Sequence, residues 1–151
     1  MIDQLDILIK SRNLILKAIA DFSLDQLNMI PEGFNNNIVW NIAHLVVTQQ
    51  ILCYKFSGLP IAVSEEMVSK YMKGTSPQDV VSMEEFEEIK ELFINLPKQI
   101  ETDYSNGIFT SYQSYTTSVD VTLTDIDSAI TFNNFHEGIH LGIILGLRKL
   151  I

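Results

Sequence analysis

Cysteine is nearly absent: the single Cys53 excludes an internal disulfide and fits a reducing compartment. Glycine and proline are sparse, seven and four in 151 residues, and with 46% apolar and 19% charged residues this excludes collagen-like repeats, low complexity and disorder. Positive charge is also short. Ten Lys and Arg stand against nineteen Asp and Glu, a formal charge of -9, so the surface repels phosphate and argues against nucleic acid and anionic membranes. Neutral, cationic or metallic partners remain. No apolar run approaches the roughly 18 residues of a membrane span. Asp3 and Asp6 interrupt the N-terminal apolar residues where a secretory signal would have none, so the expected location is the cytoplasm. The length suits one domain over residues 1–151, with a real core.

What the sequence does contain is helical periodicity. Between Asp3 and Asp21, Leu5, Leu8, Ile9, Arg12, Leu16 and Ile19 recur at spacings of three and four, the signature of an amphipathic helix. Phe22 through Gly33 reads as a turn of helix capped by Ser23 and then a loop. Asn35, Asn36 and Asn37 offer N-caps for a second long helix starting at Ile38 and stopping near Ser57, before Gly58 and Pro60. A long crossover follows, with Ser64 able to cap one or two turns through Tyr71 and a loop at Gly74 to Pro77. Ser82 and Glu85 form a capping-box pattern that opens a third long helix, which Pro97 should kink or break near Leu96. Residues 108–123 are rich in Ser, Thr, Tyr and Val. With no other strand to pair with, they read as an extended connector whose Phe109, Tyr112 and Tyr115 cover one end of the core. A fourth long helix starts at Thr124, with Asp125 and Asp127 in its first turn, and ends at Arg148 and Lys149. The expected fold is all-α, a four-helix bundle with a long crossover between its second and third long helices.

Three histidines are the candidate chemistry. His136 and His140 lie at i and i+4, so both rings leave nearly the same helix face, about 6 Å apart along the axis, where one metal ion can bridge them. That face also carries Ile126, Ile130, Asn133, Ile143 or Ile144, and Leu147, which turns the pair inward. The simpler reading is two core histidines satisfied by carbonyls. His44 shifts the balance: with Trp40, Val47, Thr48 and Ile51 it falls on the interior stripe of the second long helix, and all three histidines then converge. Trp40, Thr48 and Asn133 are the expected pocket residues around them. Cys53 lies about 900° on from His44 and reads as a structural thiol.

His136-Glu137-Gly138-Ile139-His140 is also H-E-x-x-H, in which zinc proteases use the Glu as base. Gly146 stands where the extended form of that motif needs a third His, and too little chain follows His140 for a downstream Glu ligand. Glu137 is therefore read first as a solvated helix residue and second as a residue behind the ligands or a catalytic base. No G-x-S-x-G elbow exists for a serine nucleophile.

The segment Asn37-Ile38-Val39-Trp40-Asn41-Ile42-Ala43-His44-Leu45 resembles the W-x-x-x-H that starts the second helix of DinB-like proteins, the group that includes YfiT-type proteins and bacterial thiol transferases. Phe135 through Gly142 is similar to the H-x-x-x-H near the end of that family's fourth helix, and the resemblance covers nearly the whole chain. It implies a divalent metal held by His44, His136 and His140, and chemistry that uses low-molecular-weight thiols on a small-molecule substrate. Three neutral imidazoles leave an open coordination position and accept zinc, nickel or manganese, so thiol transfer and hydrolysis both stay open. A non-catalytic metal-binding or stress-response bundle is the alternative. The high apolar fraction and the same resemblance predict a homodimer with a separate site in each chain.

Overall fold

The amphipathic N-terminal stretch forms α1 (Ile2–Ile19) in the computed structural model, which describes residues 2–151. A short α2 (Leu24–Asn28) follows, closed at its start by a reciprocal capping box between Ser23 and Gln26. Helix α3 (Ile38–Gln50) starts where the asparagines place it: the Asn37 side chain accepts from the Trp40 N–H at 2.8 Å. It continues through a wide π-helical turn at Ile51–Lys55 and stops at Gly58, whose φ of 72° suits a residue without Cβ.

The crossover carries α4 (Glu65–Tyr71), capped by Ser64. Helix α5 (Met83–Ser105) opens at Ser82, which accepts from the Glu85 N–H, while the Glu85 carboxylate turns to Lys70 and the Tyr71 hydroxyl instead. Helix α6 (Ile126–Leu147) starts two residues later than the sequence suggested, because Asp125 and Ser128 close a capping box there. Helix α1 packs on α5 and α6, α3 packs on α5 and α6, and α4 packs on α3.

Two expectations about the elements themselves are corrected. Residues 108–123 are not wholly a connector without pairing: β1 (Tyr115–Thr116) and β2 (Thr122–Leu123) form an antiparallel hairpin, Tyr115 opposite Leu123. The segment supplies its own partner by turning at residues 117–121, with Asp120 in the left-handed region that Asp tolerates better than most residues. Phe109, Tyr112 and Tyr115 do pack over one end of the core. The second correction concerns the break expected at Pro97: the proline lies within a continuous α5. Proline removes the N–H that would bond to the carbonyl four residues back, Phe93. That carbonyl accepts instead from Arg12 Nη1 at 2.9 Å.

Arg12 is the centre of a buried polar layer. Its guanidinium meets Glu137 on α6 at 2.6 Å, the Phe93 carbonyl on α5 and the Leu45 carbonyl on α3, and it stacks over the Phe93 ring. Asn133 donates to the same carboxylate at 3.1 Å. One apolar cluster contains Ile15, Val47, Phe93 and Ile144, and a second contains Leu8, Leu52, Ile100 and Ile130. Arg12 and Glu137 fall between these sets along each helix. Glu137 is 1% exposed, so its reading as a solvated helix residue is corrected: one step of about 100° from His136 turns it toward α1.

Cutting one member of this pair leaves an uncompensated charge in the interior. Arg12→Ala is expected to lower the unfolding free energy by about 3 to 5 kcal/mol. Replacing both members, Arg12→Met with Glu137→Leu, should recover part of that loss, since no lone charge remains. Urea unfolding measures both, and a loss below about 1 kcal/mol for Arg12→Ala would place the pair among weak surface contacts instead.

Candidate metal centre

Two helices bring the three histidines together. His44 comes from the middle of α3, and His136 and His140 come from successive turns of α6, their ring centroids 4.5 Å apart. One ligating nitrogen from each ring lies within 4.8 Å of the others, and no carboxylate or thiol joins the group among the described residues. His44 Nε2 and His136 Nε2 are 3.3 Å apart. Two nitrogens bonded to one tetrahedral ion at about 2.0 to 2.1 Å would stand about 3.3 Å apart, so the donors present fit a divalent ion.

The ring tautomers support the same fit. His44 Nδ1 donates to the Tyr71 carbonyl at 2.7 Å, a group that can only accept. That carbonyl belongs to the last residue of α4, where helix geometry leaves carbonyls without intrahelical partners. His140 Nδ1 lies 2.7 Å from Asn41 Oδ1. The Asn41 amide nitrogen donates to the Asn37 carbonyl, so its oxygen faces the imidazole and His140 Nδ1 is the donor. With Nδ1 committed on both rings, each Nε2 keeps a free lone pair, the arrangement found where histidine binds metal. His136 Nδ1 has no hydrogen-bond partner among the described residues.

Burial keeps these rings neutral. It lowers the pKa of His136 to about 3 and that of His140 to about 4, with the neighbouring imidazoles adding to the shift. Burial also lowers His44, opposed by its bond to the Tyr71 carbonyl. Neutral imidazole is the form that ligates.

The histidines line a cavity of about 420 Å³. Trp40 and Thr48 line it, as the sequence suggested: Trp40 stacks on His44 with centroids 4.7 Å apart, and Thr48 Oγ1 is 3.3 Å from His44 Nε2. Asn133 does not. It is buried beside Glu137, because its position on α6 follows the Glu137 face and not the histidine face. The π-helical turn shapes the opposite wall. A regular helix would carry residue 55 onto the stripe of His44, Thr48, Ile51 and Leu52; the wider turn delays the register and brings in Phe56, leaving Lys55 exposed. Phe56 stacks on Tyr115 of the hairpin at 4.6 Å, and Thr117, Ser118 and Phe132 complete that side.

Glu137 takes no place in the cavity. Both carboxylate oxygens accept from Arg12, and one also accepts from Asn133, so it is not placed as the free base of an H-E-x-x-H protease. Cys53 is fully buried near that ion pair, and burial pushes its thiol up to about 12, which leaves it un-ionised at neutral pH. The sequence pattern did not single out Asn41, the Tyr71 carbonyl or the Arg12 to Glu137 pair. An arginine on an apolar helix stripe was the one available signal, since a buried guanidinium demands an acidic partner.

The molecule is thus an all-helical protein, apart from one short hairpin, with three histidines placed so that they could hold a metal ion. The DinB superfamily model matches residues 7–144, and the chain belongs to that superfamily. No curated protein matches it.

The lowered histidine pKa values carry a stability consequence with a definite sign. Above about pH 6.5 both folded and unfolded chains hold neutral imidazoles and nothing changes. Below that, the unfolded chain takes up protons that the folded one refuses until about pH 4 for His140 and about pH 3 for His136, so acid favours unfolding. Metal-free protein should therefore lose stability through this window, by up to about 1.4 kcal/mol per pH unit for each histidine. Urea midpoints across the window test it. His136→Gln and His140→Gln should flatten the profile, and an unchanged slope in both variants would assign the acid lability to other groups.

Proposed function

We propose that this protein is a four-helix bundle of the DinB type, with its long crossover at residues 59–81, that works as a divalent-metal-dependent enzyme. It activates a thiol or a water molecule for transfer to, or hydrolysis of, a small molecule. One observation carries the reading: three neutral imidazoles converge on the wall of a cavity that opens past exposed Met72, not inside a sealed core. A purely structural site has no use for such access. His44, His136 and His140 would hold the ion, and zinc, nickel and manganese all suit three imidazoles. Bound there, the ion supplies a Lewis-acid centre that lowers the pKa of an arriving thiol or water into the neutral range.

The remaining residues prepare the site for that chemistry. Asn41 and the Tyr71 carbonyl hold His140 and His44 in the tautomers that expose Nε2. Ile51, Phe56 and Phe132 make an apolar wall that limits water around a reacting group. The Thr48 hydroxyl, beside His44 Nε2, is placed to hydrogen-bond an incoming ligand.

Elemental analysis of purified protein should find one divalent ion per chain, and His136→Ala or His140→Ala should each remove nearly all of it. Stoichiometric metal in both variants would overturn the site. Since Trp40 stacks on His44, Ni²⁺ or Cu²⁺ should quench its emission in proportion to occupancy. A thiol-transfer and hydrolysis screen with the native metal then separates an enzyme from a loaded but inert bundle.

The same reading includes a homodimer. Exposed apolar side chains on α6 and the hairpin, among them Phe135, Ile139, Val119 and Val121, need cover that a two-fold partner would give. All three ligands lie in one chain, so each protomer would keep its own site. Sedimentation equilibrium should give about twice 17.1 kDa, and a mass near one chain would refute the dimer.

A further inference from the structure

The charges around the cavity run against those of the chain. Acidic residues outnumber basic ones nineteen to ten, yet no Asp or Glu lines the cavity. Apart from the histidines, its one ionisable lining residue with a formal charge at neutral pH is Lys73. The ion pairs among the described residues use Lys10, Arg12, Lys70 and Lys90, and Lys73 takes part in none. Its near neighbour Lys70 is spoken for by Glu85 at 2.6 Å, so the difference is local.

Lys73 is an exposed residue of the cavity lining, and the loop that carries it is tied to the helix that bears His44. Two residues before it, the Tyr71 carbonyl accepts from His44. Two residues after it, Thr75 Oγ1 accepts from the Trp40 indole at 3.2 Å. Thr75 in turn donates its hydroxyl to the carbonyls of Lys70 and Met72, and Gly74, at φ 89°, lets the chain reverse immediately after Lys73. The lysine therefore stands at the corner of a loop pinned on both sides to α3, with its Cα within about 7 Å of the Tyr71 Cα.

From this arrangement we infer that the cavity takes a small acid: a molecule with a metal-seeking end at the histidines, an apolar body against Ile51, Phe56 and Phe132, and a carboxylate at Lys73. The inference rests on the metal-dependent reading above and specifies its ligand class. An ion held by three neutral imidazoles would add two positive charges to that of Lys73 with no lining carboxylate to offset them, so an anionic ligand would neutralise the cavity and a cationic one would be repelled. Lys73 is a specificity-determining residue in this scheme and touches neither the metal ligands nor the reacting end.

The test uses full-length protein loaded with Co²⁺, whose visible spectrum reports a thiol entering its coordination shell. Three thiols of similar size serve as probes: mercaptopropionate, mercaptopropionamide and mercaptopropylamine. Wild type should bind them in that order. Lys73→Gln should weaken mercaptopropionate about fivefold and leave the amide unchanged, Lys73→Arg should keep the wild-type order, and Lys73→Glu should reverse it. Cobalt content of each variant is measured first. Full cobalt with an order indifferent to Lys73 overturns the acid inference and leaves the metal site standing. Wild-type protein that takes up no cobalt, nor any other divalent ion, overturns the metal reading and this inference with it.

Discussion

One guanidinium ties the four long helices together. Arg12 reaches α6 through Glu137, α5 through the carbonyl that Pro97 leaves free, and α3 through Leu45, while being itself part of α1. Lysine could not do this, because only the planar fork of arginine offers several donors in fixed directions. A polar layer like this adds little net stability against a well-packed apolar core, but it is strict about geometry: a one-turn shift of α1 or α6 would leave a buried charge unpaired, and a shift of α3 or α5 would cost the guanidinium a hydrogen bond. The two apolar clusters on either side of the layer are free of such directional demands and would tolerate sliding far better.

That strictness is what the site uses. Glu137 lies between His136 and His140 in sequence, and on α6 it faces α1 while the histidines face α3 and the cavity. Fixing the rotation of α6 about its axis at Glu137 fixes where both imidazoles point. The other side is set by the crossover. Helix α4 ends at Tyr71, and a carbonyl left over by helix termination becomes the acceptor that orients His44. The Tyr71 hydroxyl and Lys70 both bond to Glu85 at the start of α5, so the end of α4 is anchored as well as positioned. A stretch with weak periodicity thereby does a positional job that its sequence does not advertise.

The sequence was most legible where a feature is local and periodic. Asn37, Ser64, Ser82 and Gly58 mark element ends within a residue or two, because capping is a contact between near neighbours. The three histidines were legible for the same reason, since a spacing of four on one helix and an interior stripe on another suffice to bring rings together. Long-range pairing was not. Glu137 was placed in solvent because an acidic side chain usually is, and only the position of Arg12, 125 residues away, shows otherwise. Pro97 was read by its missing N–H, whereas its effect depends on which donor takes the freed carbonyl. The hairpin of Tyr115 and Leu123 is not legible as an alternating pair of long strands, because each strand is two residues long and the partner lies only eight residues further on. Asn133 was assigned to the cavity because a helix face about 100° wide cannot separate it from its neighbour face without knowing what α1 presents.

Charge is distributed on two length scales, and they favour different species. At long range the net charge of -9 attracts cations and repels acids, an effect that fades over a Debye length of about 8 Å at physiological salt. At the cavity the balance differs, since no carboxylate lines it, the histidines are neutral, and the one lining residue with a formal charge is Lys73. A divalent ion bound there, as proposed, would be drawn toward the protein by its surface but would keep its full charge at the site, available to whatever ligand follows. Carboxylate ligands would bind the ion more tightly and spend that charge. Two buried imidazoles and a half-buried one should weaken the metal-free fold in acid, while the Arg12 to Glu137 pair, which involves none of them, keeps its own contacts. With two apolar clusters and the Arg12 layer between them, the chain has a core of its own, which a zinc finger lacks without its metal.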